Sequence, residues 1–186
     1  FGFGYTEAGF LMTVFFAISG VGQAFAGIVV DRYGARRVLM SGVGLLAASG
    51  LALSAAVNYP MLLLAVALAG VGNSVFHPAD FSLLNKKVSP SRLGYAFSAH
   101  GLSGNLGWAI GAAISGTALA WAGWRGAGLA AALVALCSVA ALQLARPLLD
   151  DDVARVGAGG TATGTTFGFL GLPVIWLAFM FFLLIT

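Results

Sequence analysis

The sequence predicts an all-α integral membrane protein, and composition is the first reason. Of the 186 residues, 60% are hydrophobic and only 8% are charged, whereas about 25% of the residues in an ordinary soluble domain are charged. So few polar residues cannot cover a soluble core, and the chain must therefore be solvated by lipid. Glycine is also abundant, with 27 residues, and small residues let apolar helices approach each other closely in a membrane.

Six long apolar stretches are the second reason. Each is close to the roughly 20 residues that a helix needs to cross the hydrocarbon core. None alternates apolar and polar residues in the manner of a membrane β-strand. We expect a first transmembrane bundle over residues 1–146, a linker over 147–168 and the first helix of a second bundle. The predicted helices span residues 8–30, 38–57, 61–84, 94–120, 126–145 and 169–186.

The connections between these stretches suit a membrane protein. Pro60 follows the second connection and is expected in the first turn of the next helix. Trp121 and Trp124 lie in the predicted loop 121–125 and suit an interfacial aromatic belt. The predicted linker is polar and rich in glycine and threonine, which favours a flexible cytoplasmic segment between two bundles.

Basic residues divide unevenly between alternate connections. Eight of the nine lie in or beside the loops 31–37, 85–93 and 146–168, and the other side has only Arg125. Positively charged loops stay in the cytoplasm, so we expect these three loops there, in a multi-pass protein of the plasma or inner membrane. Because the chain starts at Phe1 and ends in an apolar run, we expect it to be a piece of a longer protein.

Two features set limits on other binding functions. The net charge of +3 does not indicate a nucleic-acid partner, because the basic residues form no continuous stripe. Cys137 lies in an apolar run with no second cysteine and no metal-ligand spacing around it, so we expect no disulfide and no metal. We expect no cofactor either.

The first predicted turn, DRYGARR, concentrates charge between two apolar stretches. Anchoring at lipid headgroups explains Arg36 and Arg37. It does not explain Asp31, since acidic residues contribute little to membrane orientation. Nor does it explain Gly27 and Gly34, which flank the aspartate.

This turn resembles the signature loop of the major facilitator superfamily, G-x-x-x-D-R-x-G-x-R-R, which lies between the second and third helices of that fold. Ala35 departs from the pattern, which usually has a basic residue there. The resemblance implies that the chain covers helices two to seven of a twelve-helix bundle. The residues that match are Gly27, Asp31, Arg32, Gly34, Arg36 and Arg37.

The resemblance also implies a function. Members of this family are secondary active transporters, in which the loop resembles a latch that holds one access state until the two halves rock. A carboxylate such as Asp31 is stabilised by a helix N-terminus and by arginines. Gly34 would supply a turn with positive φ, and Gly27 a close helix approach. The implied partners are membrane lipid, a small-molecule solute and, as a hypothesis, protons; the implied protein is not an enzyme.

Glycines follow one face of the fourth predicted helix and indicate a packing seam. The stretch weakly resembles the family's antiporter motif, G-x-x-x-G-P-x-x-G-G. Ala112 replaces its proline and Ser115 one of its glycines, so the direction of transport stays open. The glycines predicted to pack against another helix are Gly104, Gly107, Gly111 and Gly116.

Ionisable residues inside predicted helices form the second candidate site. His77 and Asp80 stand three apart, on one helical face, and the Phe-His-Pro sequence around His77 weakly resembles fosmidomycin-resistance-type exporters. His100 lies on the next helix at about the same depth, so we expect the two imidazoles to share a site suited to a proton. Asn73 and Gln23 are further candidates for a wet cavity, with helix packing as the alternative for each.

Two other classes of function remain as alternatives. GLSG, residues 101–104, resembles the G-x-S-G of intramembrane serine proteases, with Ser103 as nucleophile and His77 or His100 as base. In that family, however, the serine helix precedes the histidine helix. A membrane sensor or scaffold that transports nothing is the other alternative.

Overall fold

The computed structural model describes residue 2 and residues 4–149, and within them every regular element is helical. The predicted all-α class is therefore confirmed. Residues 150–168 of the predicted linker, with Arg155, and the predicted helix 169–186 lie outside the described residues. The elements are α1 (Tyr5–Tyr33), α2 (Ala35–Ala55), α3 (Tyr59–Ser74), α4 (Phe76–Lys87), a 3-10 turn (Pro90–Arg92), α5 (Leu93–Leu144) and the short α6 (Arg146–Leu149).

Four helical stretches in the described part of the chain are long and apolar enough to cross a membrane: Tyr5–Tyr33, Ala35–Ala55, Tyr59–Lys87 and Pro90–Leu144. The last has 55 residues and would be about 80 Å long if it were straight, more than twice the thickness of a hydrocarbon core. It must therefore turn within its length.

The turn in α5 lies at Gly123, whose φ of +66° and ψ of −171° are not helical. A Cβ added to Gly126 would lie 3.2 Å from the carbonyl oxygen of Ala118, although residues eight apart in a straight helix are separated by about 12 Å. The chain therefore doubles back at Gly123. We call residues 93–122 the first arm and residues 124–144 the second arm.

The two arms correspond to the predicted helices 94–120 and 126–145. The predicted five-residue loop between them was too long, because glycine alone can make this turn and the residues on both sides remain helical. Arg146–Leu149 forms one further helical turn where the predicted linker begins, and the bounds of the linker remain a prediction.

The predicted helix 61–84 is divided at Val75 into α3 and α4. Pro78 has no N–H to donate to the carbonyl of Ser74, four residues before it, which removes one helical hydrogen bond at this point. The start of α3 is well defined, because the side chain of Asn58 accepts a 3.0 Å hydrogen bond from the N–H of Met61 and Pro60 lies in the first turn.

One apolar cluster fixes which turns lie together. It joins the end of α1, the start of α2 and the middle of α4, and Leu142 of the second arm packs against it. The turn at Gly34, the 88–92 loop and the end of the second arm therefore share one end of the bundle. The buried members are Val30, Ala35, Val38, Leu39, Ala79 and Leu83.

The Gly123 turn lies at the opposite end. There the hydroxyl of Tyr59 donates to the carbonyl of Glu7 at 3.0 Å, and Arg125 donates to the carbonyl of Ala56 at 3.5 Å. The Arg125 guanidinium also lies 4.4 Å from the centroid of the Trp124 ring. These contacts tie the start of α1, the α2–α3 connection and the Gly123 turn together.

Glycines bring α1, α2, α3 and the second arm into close contact. A Cβ on Gly72 would lie 2.7 Å from the carbonyl oxygen of Gly42, and one on Gly50 would lie 2.8 Å from that of Gly128. A Cβ on Gly70 would similarly meet the backbone of α1 at 2.8 Å. Backbones can approach this closely only where no side chain stands between them.

The first arm is not packed in this way. Residues 101–117 are all exposed, and a groove of about 630 Å³ separates the first arm from α2 and the second arm. Its walls are mainly apolar and include Val43, Leu46, Phe76, Ile110 and Val134.

Candidate functional site

The turn between α1 and α2 is centred on Gly34, whose φ is +87°. The N–H of Gly34 donates to the carbonyl of Val30 at 2.8 Å, and its own carbonyl accepts from the N–H of Val38 at 3.2 Å. The turn thus ends one helix and begins the next without a loop. The resemblance to the signature loop implied a positive φ at Gly34, and the backbone has one there.

The charged residues of this turn differ in burial. Asp31, Arg32 and Arg37 are exposed at the end of the bundle, whereas Arg36 is half-buried beside the buried Ala35. The Arg32 guanidinium lies 5.4 Å from the centroid of the Tyr33 ring. The turn therefore presents an exposed carboxylate among cations, and its role as a latch remains a prediction.

Gly27 does not have the predicted close neighbour. It is exposed on α1, and a Cβ placed on it would meet nothing within 4 Å among the described residues. Within the described residues α1 packs through the side that carries Ser19, Ala26 and Val30, so the close helix approach at Gly27 remains a prediction.

The structure brings His77, Asp80 and His100 together. The imidazole centroids of His77 and His100 are 6.3 Å apart, and His100 Nε2 lies 4.0 Å from Asp80 Oδ2. The side chains of His100 and Asp80 are 31% and 26% exposed. We call these three residues the imidazole–carboxylate cluster, which joins α4 to the first arm.

Two aromatic rings that the sequence reasoning missed complete this cluster. The Phe81 centroid lies 5.6 Å from that of His77 and 5.8 Å from that of His100. Phe97 packs edge-on against Phe81, with centroids 5.2 Å apart. The spacing was a usable signal, since Phe81 follows His77 by four residues and Phe97 precedes His100 by three, so each shares a helix face with a histidine.

Asn73 and Gln23 have different surroundings. Asn73 Nδ2 donates to Ser19 Oγ at 2.8 Å, which joins α3 to α1. Gln23 is half-buried on α1, one helical turn after Ser19. Asn73 thus makes the interhelical hydrogen bond that was its alternative interpretation, and neither residue is drawn into the imidazole–carboxylate cluster by a hydrogen bond that the structure identifies.

The predicted glycine seam has no partner within the described residues. A Cβ on any of these four glycines would meet nothing within 4 Å, and Gly107 and Gly111 instead line the groove. The packing role of the seam remains a prediction. The glycines concerned are Gly104, Gly107, Gly111 and Gly116.

Ser103 is not arranged as a nucleophile. Its hydroxyl donates to the backbone carbonyl of His100 at 2.8 Å, a bond within its own helix, while His100 Nε2 faces Asp80. A serine protease needs the hydroxyl to donate to the base. Among the described residues, moreover, no group of three or more His, Cys, Asp or Glu side chains is arranged to hold a metal ion.

Comparison with known proteins identifies the family. The family model described as "Major Facilitator Superfamily" matches residues 1–186. The chain is also 36% identical over 91 residues to multidrug resistance protein MdtH of Yersinia enterocolitica, Yersinia pestis and Yersinia pseudotuberculosis. Each match covers 48% of this chain and 22% of the relative. Because the family model matches the whole sequence, this multi-pass membrane protein belongs to the Major Facilitator Superfamily of transporters.

Proposed function

We propose that the protein is a secondary active transporter that moves a small organic solute by alternating access, and that the imidazole–carboxylate cluster couples this movement to protons. Family membership supports transport of a solute. The observation that carries the proton coupling is the approach of His77, Asp80 and His100 across two membrane-spanning stretches. Ionisable groups are costly inside a bilayer, and where they occur they tend to mark substrate and proton pathways.

The chemistry of the cluster suits a proton that binds and leaves. Histidine gains and loses its charge between about pH 5 and pH 8. The Asp80 carboxyl group lies 4.0 Å from His100 Nε2, so that a carboxyl group and two imidazoles, each able to bind a proton, lie together. The break between α3 and α4 lies two residues before His77, and interrupted helices are where transporters of several folds place their sites.

The turn at Gly34 is proposed as the latch of the access states. Its exposed charges, Asp31, Arg32 and Arg37, stand at an end of the bundle where they can meet another charged or helical surface. Such contacts can be made in one state and lost in the other. We place this end in the cytoplasm, since it carries seven of the eight described basic residues of the chain.

The solute is proposed to be organic and to move outward. The support is the name of the relatives, multidrug resistance protein, whose matched segment covers 48% of this chain. The mainly apolar groove beside the first arm agrees with a solute that has apolar parts, because solute sites are lined largely by apolar side chains.

Proton coupling is tested with histidine variants of the full-length protein reconstituted into proteoliposomes. Flux of organic dyes, with ethidium and Nile red as the first probes, is measured under imposed pH gradients while a pH-sensitive dye reports proton movement. We expect His77→Gln and His100→Gln each to abolish or shift the dependence of flux on pH. Ser103→Ala is the matched control, since its hydroxyl bonds only to its own helix.

Retention of the full pH dependence in both histidine variants would show that neither imidazole carries the coupled proton. If the unaltered protein moved no solute from a broad panel, the transport proposal itself would fail, and the sensor or scaffold alternative would take its place.

The latch is tested with Asp31→Asn, which removes the charge and keeps the shape. We expect the variant to insert and fold normally but to interconvert between access states about tenfold more slowly, a change of about 1.4 kcal/mol in the barrier. Accessibility of single cysteines to impermeant reagents from each side reports this directly. An accessibility pattern and flux equal to those of the unaltered protein would leave Asp31 as a surface charge without a gating role.

A further inference from the structure

Cations from three elements collect at one edge of the bundle, around the apolar cluster that joins the start of α2 to α4. Leu142 of the second arm packs against the same cluster. Each of the three elements has a basic residue within one helical turn of a residue in this contact. We call these basic residues the cation group: Arg36, Lys86, Lys87 and Arg146.

Helical spacing places the lysines of α4 beside this cluster. Lys86 and Lys87 follow the buried Leu83 by three and four residues, and residues at this spacing are neighbours on a helix surface. The helix continues through both lysines, because the N–H of Val88 donates to the carbonyl of Leu84 at 2.9 Å. Both lysines are exposed and lie about 4.5–6 Å beyond Leu83 along the helix axis.

The arginines reach the same edge from the other two elements. Arg36 is in the first turn of α2, next to the buried Ala35. Side chains of a helix tilt towards its N-terminus, which for α2 is this end of the bundle. Arg146 is exposed and follows Leu142 by four residues, with helical hydrogen bonding maintained up to Ala145. The cation group therefore surrounds one apolar contact from three sides.

Basic residues outnumber acidic ones at this end of the bundle. The loops 31–37 and 85–93, together with Arg146, contain seven basic residues and one acidic residue, Asp31. When residues 150–168 are counted with them, there are eight basic residues and four acidic ones. Neighbouring like charges repel one another, so an anion that binds among the cation group lowers the electrostatic energy of this edge.

We propose that the cation group is a binding site for an anionic phospholipid, whose phosphate lies among these side chains. Headgroups occur at the level where membrane-spanning helices end, and anionic headgroups attract basic residues there. The inference needs only that this end of the bundle lies at a membrane surface. It does not depend on the solute transport or the proton coupling proposed above.

The face of α2 below Arg36 suits the acyl chain of such a lipid. Met40 and Gly44 follow Arg36 by four and eight residues, on the same side of the helix. Neither is buried, and a Cβ on Gly44 would meet nothing within 4 Å among the described residues. A phospholipid contacts the cations and this apolar face together, whereas inorganic phosphate contacts only the cations.

The test measures which lipid the full-length protein retains. The protein is purified in micelles that contain equal amounts of phosphatidylglycerol and phosphatidylcholine, and native mass spectrometry counts the bound lipids of each kind. We expect phosphatidylglycerol to be preferred, and the preference to fall as salt is added, because salt screens exposed charges. Lys86→Gln combined with Arg146→Gln should lower the preference at least about tenfold, since each cation near an anionic surface contributes about fivefold.

Arg32→Gln combined with Arg92→Gln is the matched control, and it should keep the preference. It removes two charges from the same end of the bundle. Arg32, however, is two residues from Val30 and so points to roughly the opposite side of α1 from the cluster. Arg92 precedes the first arm, which contributes no residue to the cluster in the part of the chain that the structure describes.

Two further sets of variants separate charge from folding. Lys86→Arg combined with Arg146→Lys keeps both charges and should keep the preference for phosphatidylglycerol. Lys86→Gln and Arg146→Gln as single variants should each lower it about fivefold, and they cover the case in which the double variant does not fold.

Three results would overturn the inference. Equal losses in the neutralised pair and its matched control would mean that lipid responds only to the total charge of this end. Displacement of phosphatidylglycerol by an equal concentration of inorganic phosphate would indicate a site for free anions. The three aspartates at 150–152 follow α6 directly and are the competing occupant. A preference that appears only after all three are changed to asparagine would assign the cation group to them.

Discussion

The second arm and the first arm of α5 are adjacent in sequence, similar in composition and opposite in packing. The second arm meets α2 so closely that Gly50 and Gly128 leave no room for a side chain between the backbones. The first arm contains more glycines than the second, yet nothing in the described residues lies within 4 Å of a Cβ on them. Glycine spacing alone therefore does not establish a helix contact; the partner must also present a surface that matches.

The two arms also differ in what they contribute to the proposed site. The well-packed region of α1, α2, α3 and the second arm has the contacts expected of a rigid support. The first arm contributes His100 and Phe97 to the imidazole–carboxylate cluster and borders the groove. A helix with few packing contacts can change position at a smaller cost, which suits one that carries half of a proposed site.

The strongest test of the comparison is a pair of identical substitutions. Gly50→Val places its Cβ 2.7 Å from the backbone nitrogen of Ala132, and overpacking of this kind typically costs about 1–3 kcal/mol, with backbone clashes at the upper end. Gly107→Val meets no atom within 4 Å. We expect a large loss of thermal stability for the first variant in detergent micelles and little change for the second.

Melting temperatures followed by size-exclusion chromatography after heating provide the measurement. Equal losses for the two variants would mean that the first arm is packed as tightly as the second, against a surface outside the described residues.

A second pair concerns the two glycines of the signature turn. Gly34→Ala forces a side chain onto a φ of +87°, a conformation that costs about 1–3 kcal/mol for residues other than glycine. Gly27→Ala lies inside α1 in open space and should leave stability unchanged or raise it by about 0.5–1 kcal/mol. Thermal unfolding of both variants in micelles distinguishes the two positions. A loss of stability in Gly27→Ala as large as that in Gly34→Ala would indicate that α1 packs at Gly27 against a surface outside the described residues.

The smallest expected effect is at the polar contact inside the well-packed region. Asn73→Ala removes the 2.8 Å hydrogen bond to Ser19, and bonds of this kind between membrane helices contribute about 0.6 kcal/mol on average. A double-mutant cycle with Ser19→Ala measures the coupling. A coupling energy near zero together with lost solute flux would indicate that Asn73 acts in the solute pathway and not in helix packing.

The sequence contained most of the information that determines the helices, because apolar runs bounded by charge or proline have one stable state in lipid. The predicted start of the first helix at residue 8 and its end at residue 30 each differ from Tyr5–Tyr33 by three residues. The positive φ of Gly34 was predictable for the same local reason, since two helices meet there without a loop.

Properties that depend on which surfaces meet were not predictable. Helical periodicity could place Gly107 and Gly111 on one face, but it could not show that this face borders a groove. The two histidines are an exception. Their depth along the helices led to the expectation that they share a level, and their ring centroids are 6.3 Å apart. Phe81 was missed because its spacing of four residues from His77 is informative only once the helix face that carries His77 is taken as the site.

The contacts of Arg125 bear on how the chain enters a bilayer. Among the described residues, the end of the bundle at the Gly123 turn has one cation, and that cation rests against the Trp124 ring and the carbonyl of Ala56. If this end crosses the bilayer, one guanidinium must lose its water. The Trp124 ring and the Ala56 carbonyl then replace part of that hydration. With the cation-rich end in the cytoplasm, as proposed, the hairpin formed by the two arms can be threaded with its turn leading.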